Sequence, residues 1–315
     1  MTYALLRLAA TSLAVALAAA CGTSGSSGGA GDKLTVVAAF YPLEYAASQV
    51  GGGYVSVKPL TKPGAEPHDL ELTPRQVADV AQADVVVYER GFQPAVDAAV
   101  ARQARHRALD VAPAARLTLT LTEDDHSDDH AGEPNPTDLT KGAPDPHFWL
   151  DPLRYADVGD AIAGELAAKD PSHADSYRAN AQAFRATLTS LDAELRTGLS
   201  RCRLKDLVTS HAAFGYLARA YGLRQYSITG LSPEGEPSPT ALARLAALIR
   251  ETGATTVYAE TLVSQDVAKT LVRETGARMA VLDPVEGITS VSSGHDYPAV
   301  MRADLTTLRA GQECS

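Results

Sequence analysis

Two rhythms of hydrophobic positions alternate along this chain. Residues 34–40 form an apolar, β-branched run ending at Pro42, and residues 54–60 and 84–88 read likewise. Runs of this kind read as strands buried on both faces of a parallel sheet. Between them the spacing becomes helical: Thr73 before Pro74 is a cap followed by a first-turn proline, and residues 94–105 read as another helix. Strand, helix, strand over about residues 33–152 predicts an α/β lobe with a mostly parallel sheet. A second such run begins at 203, with strand-like residues 207–209, 225–229, 255–258 and 279–282. Residues 153–202 lie between the lobes. There Asp170 and Pro171 form a helix start, and Tyr177, Ala181, Phe184, Leu188, Leu191, Leu195 and Leu199 follow at intervals of 4, 3, 4, 3, 4 and 4. That is one buried stripe on a helix reaching about Ser200, roughly 45 Å long at 1.5 Å per residue. Such a helix suits a rigid strut between two lobes; periodicity alone also allows an ordinary helix within one domain.

The N-terminus has a different pattern. Residues 1–20 hold one cation, Arg7, and then an apolar stretch too short to span a bilayer, the form of a signal peptide. Cys21 follows Ala18, Ala19 and Ala20 and precedes a Gly/Ser-rich run, 22–32. This resembles a bacterial lipobox, with Ala18 where that pattern prefers Leu. Acylation of Cys21 at two points would anchor the chain at the outer face of a membrane, on a flexible linker reaching about 18 Å. Cleavage at the alanine run, leaving a soluble protein, is the alternative. A second low-complexity stretch, 122–142, is rich in Asp, Glu and Pro and carries His126 and His130; it predicts an acidic loop.

With 315 residues, 45% hydrophobic and 21% charged, the chain is long enough for two globular domains. A net charge of −10 without a basic run argues against nucleic acid as a partner. Once Cys21 is set aside, Cys202 and Cys314 are the only possible intramolecular pair. In an oxidising compartment a disulfide between them is expected, with two free thiols as the alternative.

Chemistry narrows to a few histidines. His106, His173 and His295 sit at helix ends or beside glycine and read as solvated or capping residues. His68 lies after a strand in Pro67-His68-Asp69, ahead of Thr73-Pro74; His147 stands in Pro146-His147-Phe148-Trp149-Leu150-Asp151-Pro152; His211 opens His211-Ala212-Ala213-Phe214-Gly215-Tyr216 after a strand. Asp283 closes another strand. Strand ends of open α/β sheets are where ligands bind, yet nothing in the spacing alone brings these residues together, and scattered loop histidines are the alternative.

Those three motifs, in that order, resemble the metal-binding lipoproteins of bacterial ABC importers, the cluster A-I solute-binding proteins, over about residues 33–312. The resemblance implies two α/β lobes joined by one long rigid helix, with metal in the interlobe cleft. It implies His68, His147 and His211 as ligands and Asp283 as the carboxylate. In some zinc-binding members a Glu beside the first His serves instead; here that neighbour is Pro67, with Glu66 one place further back, which favours Asp283. Glu260 matches a position described as structural, and Asp69 and Glu71 either orient ligands or are solvated. Manganese-binding members place Glu where His211 stands, and three imidazoles suit zinc better. The expectation is therefore a monomeric, lipid-anchored, non-enzymatic protein that captures Zn2+ and hands it to a membrane permease. The same scaffold binding manganese or iron, or an adhesin with a structural metal, is the alternative. A zinc hydrolase is disfavoured because no HExxH helix is present. Cys202–Cys314 would tie the chain end to the second lobe, and the 122–142 loop would collect zinc weakly through His126 and His130.

Overall fold

The computed structural model describes residues 33–120, 142–233 and 237–315. The signal segment, Cys21, the linker, and His126 and His130 lie outside the described residues.

In the first lobe, β1 (Leu34–Ala38), β2 (Val55–Pro59), β3 (Val85–Tyr88) and β4 (Ala108–Asp110) form an all-parallel sheet in the order β2-β1-β3-β4. Leu34 pairs with Val55 and Val36 with Val85. Every residue of β3 is buried, which explains why its apolar run is continuous rather than alternating. Helices α1 (Tyr41–Gly51), α2 (Pro74–Gln82), α3 (Pro94–Ala99) and α4 (Ala112–Ala115) connect or follow the strands. Thr73 and Gln76 make a reciprocal capping box at the start of α2. β2 begins later than its apolar run, because Gly52–Tyr54 is a 3-10 turn that stacks Tyr54 on His173. α3 continues as a π-helical turn, Val100–Ala104. β4 was not legible in the sequence: it is three half-buried residues long and has neither an apolar run nor an alternation.

The strut is a helical hairpin. α5 (Pro152–Lys169), capped by Asp151, runs back along α6 (Ala174–Leu199). The two pack tightly at Gly159, where a Cβ would lie 2.6 Å from Phe184 Cδ1. Arg185 pairs with Asp157 and Asp160 beside it. α6 buries the whole predicted stripe but starts at Ala174 rather than Pro171. The Asp170 carboxylate accepts from Ser172, His173 and Tyr177, and the first turn is 3-10. α6 rests on α1 of the first lobe and α10 (Tyr297–Gly311) of the second.

In the second lobe β5 (Asp206–Thr209), β6 (Arg224–Ser227), β7 (Thr256–Ala259) and β8 (Arg278–Val281) form another all-parallel sheet, ordered β6-β5-β7-β8. This is the strand order of the first lobe, repeated. α7 (Gly215–Tyr221), α8 (Pro239–Thr252) and α9 (Asp266–Thr275) complete it with α10. One apolar core runs from the first sheet through α5 and α6 to α7 and α10, and a smaller one lies under α8 and α9 around Val208, Val257, Ile249 and Leu271. A Cys202–Cys314 disulfide joins the entry of β5 to the end of the chain.

Candidate metal centre

Both sheets reverse their strand order at one crevice, between β1 and β3 and between β5 and β7, where loops from strand carboxyl ends diverge and leave room for a ligand. After β5 the chain turns at His211, which is fully buried, and after β7 comes Glu260. Glu260 Oε1 accepts from the backbone N–H of His211 at 3.1 Å and lies 2.6 Å from its Nδ1. The same device recurs at His147, which enters from the segment before α5. Asp145 Oδ1 accepts its backbone N–H at 2.9 Å and lies 2.7 Å from Nδ1. A carboxylate on Nδ1 keeps a proton there and turns Nε2 into the crevice, where a metal can take the place of the Nε2 proton. Gly215, in the sequence motif around His211, lets α7 approach Asp145: a Cβ there would sit 2.6 Å from Asp145 Oδ2.

His68 is held otherwise. It lies in the loop after β2, where Glu66 accepts from the backbone N–H groups of His68 and Asp69 at 2.9 and 3.2 Å. Buried Gln93 donates to Pro67 O at 2.8 Å and to Thr61 Oγ1 at 3.2 Å. The His68 ring meets Phe92 edge-on, and its side chain keeps 9% exposure, so the crevice opens on this side.

The fourth group is Glu286, and this corrects the expectation of Asp283. Glu286 follows β8 in a turn where Val285 has φ 57°. A left-handed valine is costly, about 1–3 kcal/mol, and persists only where the surroundings over-determine it. Here they do: Asp283 Oδ1 accepts from Val285 N at 2.8 Å, Asp283 N donates to Asp304 Oδ1 at 3.0 Å, and Trp149 Nε1 donates to Pro284 O at 2.8 Å. Asp283 is held in the fold of the turn, with Thr261 at 3.5 Å on its other oxygen, and it is not among the four groups whose ligand atoms cluster. No sequence signal marked Glu286, because a β-branched residue in the left-handed region is the opposite of what a turn sequence advertises. Asp69 and Glu71 are exposed, and the carboxylates that orient imidazoles are Asp145 and Glu260. His106 and His295 are exposed, and His173 pairs with Asp170.

His68, His147, His211 and Glu286 each offer one atom, all within 4.8 Å of one another. Glu286 Oε1 lies 3.3, 3.2 and 3.6 Å from Nε2 of His68, His147 and His211. His147 Nε2 lies 3.3 Å from His68 Nε2 and 3.4 Å from His211 Nε2. A tetrahedron with arms of about 2.0–2.1 Å, the Zn–N and Zn–O lengths, has edges of about 3.3–3.4 Å. Three of the five distances match those edges and the other two, 3.2 and 3.6 Å, lie within about 0.2 Å of them, so the group is close to the tetrahedron that a zinc ion requires.

The electrostatics agree with a cation there. Burial opposes charge on Glu286, but hydrogen bonds from the three histidines outweigh it and hold the carboxyl well below its usual range. Burial likewise opposes charge on His147 and His211; Asp145 and Glu286 reverse this at His147, and Glu260 with Glu286 raises His211 to about 10. Burial lowers His68, with His147 and His211 adding to it. Glu66, at the open side, is pushed up to about 7 by burial, with Glu286 adding to it. Counting Asp145 and Glu260 as well as Glu286, the crevice carries more negative charge than the single ligand carboxylate suggested, which suits a dication.

The family model of the zinc-uptake complex component A, periplasmic (ZnuA), matches residues 36–311. The chain belongs to the ZnuA family. Within it, the high-affinity zinc uptake system protein ZnuA of Bacillus subtilis is 34% identical over 299 residues, 93% of this chain and 93% of that protein. The zinc-binding lipoprotein AdcA of Streptococcus pneumoniae is 35% identical over 282 residues, 88% of this chain but 55% of AdcA. The chain thus spans about half of AdcA and nearly all of ZnuA. The crystal structure of the Zn(II)-bound ZnuA-like domain of Streptococcus pneumoniae AdcA superposes with a TM-score of 0.72 at 33% identity, covering 89% of this chain and 99% of that one. The two-lobed parallel-sheet fold with a long helix between the lobes is that of ZnuA-like solute-binding proteins, which are not an enzyme class and work with an ABC importer permease.

Proposed function

We propose that this chain captures zinc outside the cytoplasm with His68, His147, His211 and Glu286 and delivers it to the permease of an ABC importer, without catalysing a reaction itself. The observation that carries this reading is the tetrahedral spacing of three imidazole nitrogens and one carboxylate oxygen, two of the imidazoles backed by buried carboxylates. Three nitrogens favour borderline zinc over hard manganese. Each ligand is also held by protein partners, so the fold does not need the ion. An adhesin using metal structurally would instead melt far lower once stripped. Residues 33–152 act as the first lobe, 153–202 as the connecting helices and 203–315 as the second lobe. The chain acts as a monomer on a lipid anchor at Cys21, after removal of residues 1–20. His126 and His130 would serve as a weak collector ahead of the main site.

The test is elemental analysis of the purified chain after competition among zinc, manganese and iron, with melting curves before and after chelation. One zinc per chain and a stripped protein that stays folded are expected. Manganese or iron retained in preference to zinc would overturn the metal assignment, and collapse of the stripped protein would overturn the transport reading.

A further inference from the structure

Trp149, the only tryptophan in the chain, is fully buried and does two things at once. Its ring packs 5.3 Å from the His147 ring and against Phe40 and Phe92 at 5.1 and 6.0 Å, within the core of the first lobe. Its indole N–H crosses to the second lobe and donates to Pro284 O, two residues ahead of Glu286. Its own carbonyl accepts from the Tyr297 hydroxyl at the start of α10, so the backbone of Trp149 is fixed to the second lobe as well. The turn it grips contains Val285 in the left-handed region, a conformation that relaxes when its restraints are lost. Asp283 and Asp304 restrain that turn from within the second lobe; from the first, Trp149 holds its backbone, while His68 and His147 meet only the Glu286 side chain.

We propose that Trp149 is a positioning residue that latches the strained Asp283–Glu286 turn across the lobe junction, so that Glu286 stands in the zinc tetrahedron only while the two lobes are engaged. The inference rests on the zinc reading above. It makes Glu286 the ligand that leaves first: when the lobes part, the Pro284 carbonyl loses its donor, Val285 relaxes, and three histidines are left holding the ion. Release is then driven by lobe movement rather than by competition for the ion at the crevice mouth.

Phenylalanine at this position keeps an aromatic ring in the core but lacks the N–H. Zinc dissociation from the full chain is followed with a colorimetric chelator in stopped flow, for the wild type, Trp149→Phe, Glu286→Gln and the double variant. The wild type separates the two readings: if it binds no zinc, the proposed function fails and the latch falls with it. If it binds zinc, Trp149→Phe should speed dissociation about 10- to 100-fold, the range for groups that orient metal ligands. The same substitution in the Glu286→Gln background should change it by less than about threefold, because coupled residues are not additive. An equal acceleration in both backgrounds, or none in either, would overturn the latch while leaving zinc capture intact. Should Trp149→Phe fail to fold, the lone indole N–H gives a single 15N resonance in the wild type. Zinc should shift it and slow its exchange, and an indole resonance identical with and without zinc would overturn the proposal.

Discussion

His147 and His211 form one pair, the floor of the crevice; the other pair, called the rim for His68 at the open side, is His68 and Glu286, itself as buried as the floor. The floor is one device built twice, once in each half of the molecule: a buried carboxylate grips the backbone N–H and Nδ1 of the same histidine. The rim is held through backbone instead, by Glu66 and Gln93 around His68 and by Asp283 and Trp149 around Glu286. A side chain clamped at its Nδ1 has its direction fixed whether or not metal is present. A side chain on a restrained turn keeps its place only as long as the turn does. Affinity should thus reside mainly in the floor, and entry and exit in the rim.

The sharpest way to break this comparison is to remove the floor. The double variant His147→Ala, His211→Ala should lose zinc affinity by at least about a thousandfold in a competition titration while keeping its circular dichroism spectrum. Retention of tight binding after dialysis would sink the site. At the rim, Glu286→Ala should weaken binding about a hundredfold and Asp283→Ala about tenfold or less, since Asp283 acts only through the turn. The reverse ranking in calorimetry would restore Asp283 as the ligand. Asp145→Asn and Glu260→Gln should each cost about 10–100-fold, and by similar factors, if the two floor devices are equivalent. A large difference between them would show that the halves are not.

A smaller effect should appear in pH dependence. In the metal-free protein, the His211 pKa is raised from 6.5 to about 10, so its contribution to stability is fully present below about 6.5 and is lost as pH rises toward 10. Glu286, lowered, contributes stability above its ordinary value of 4.5 and loses it as pH falls below that. His68, lowered, adds to this loss on the acid side, costing stability as pH falls below about 6.5. The stripped protein should therefore melt lower as pH rises from about 6.5 toward 10, while the gain in melting temperature on adding zinc grows over the same range, because zinc displaces protons from the floor. A zinc-induced gain that is flat above pH 7 would contradict the raised His211. The smallest effect on zinc should come from reducing Cys202–Cys314. The loop between them could contribute about 4–5 kcal/mol to stability in the chain-entropy model, so melting should fall while zinc affinity stays within about twofold. Thiol alkylation without reductant checks that the bond is present.

Local pattern was enough for much of this molecule. The apolar runs placed seven of the eight strands, and the 4-3-4-3 stripe foretold which face of α6 is buried, because both signals are repeated over several neighbours. The order of the three histidine motifs was legible for the same reason, being short and local. The short edge strand β4 was not, since its pairing with β3 comes from the sheet rather than from its own three residues. Nor did the sequence point to Glu286, where the resemblance implied Asp283. They are three residues apart, and which one faces the crevice depends on a left-handed valine that local preference opposes. That conformation is imposed by Asp304 on α10 and by Trp149 from the other lobe, contacts made between residues far apart in the chain. The same holds for Asp145 and Glu260: the first lies two residues from its histidine and the second 49, yet only the packed crevice makes them the same device.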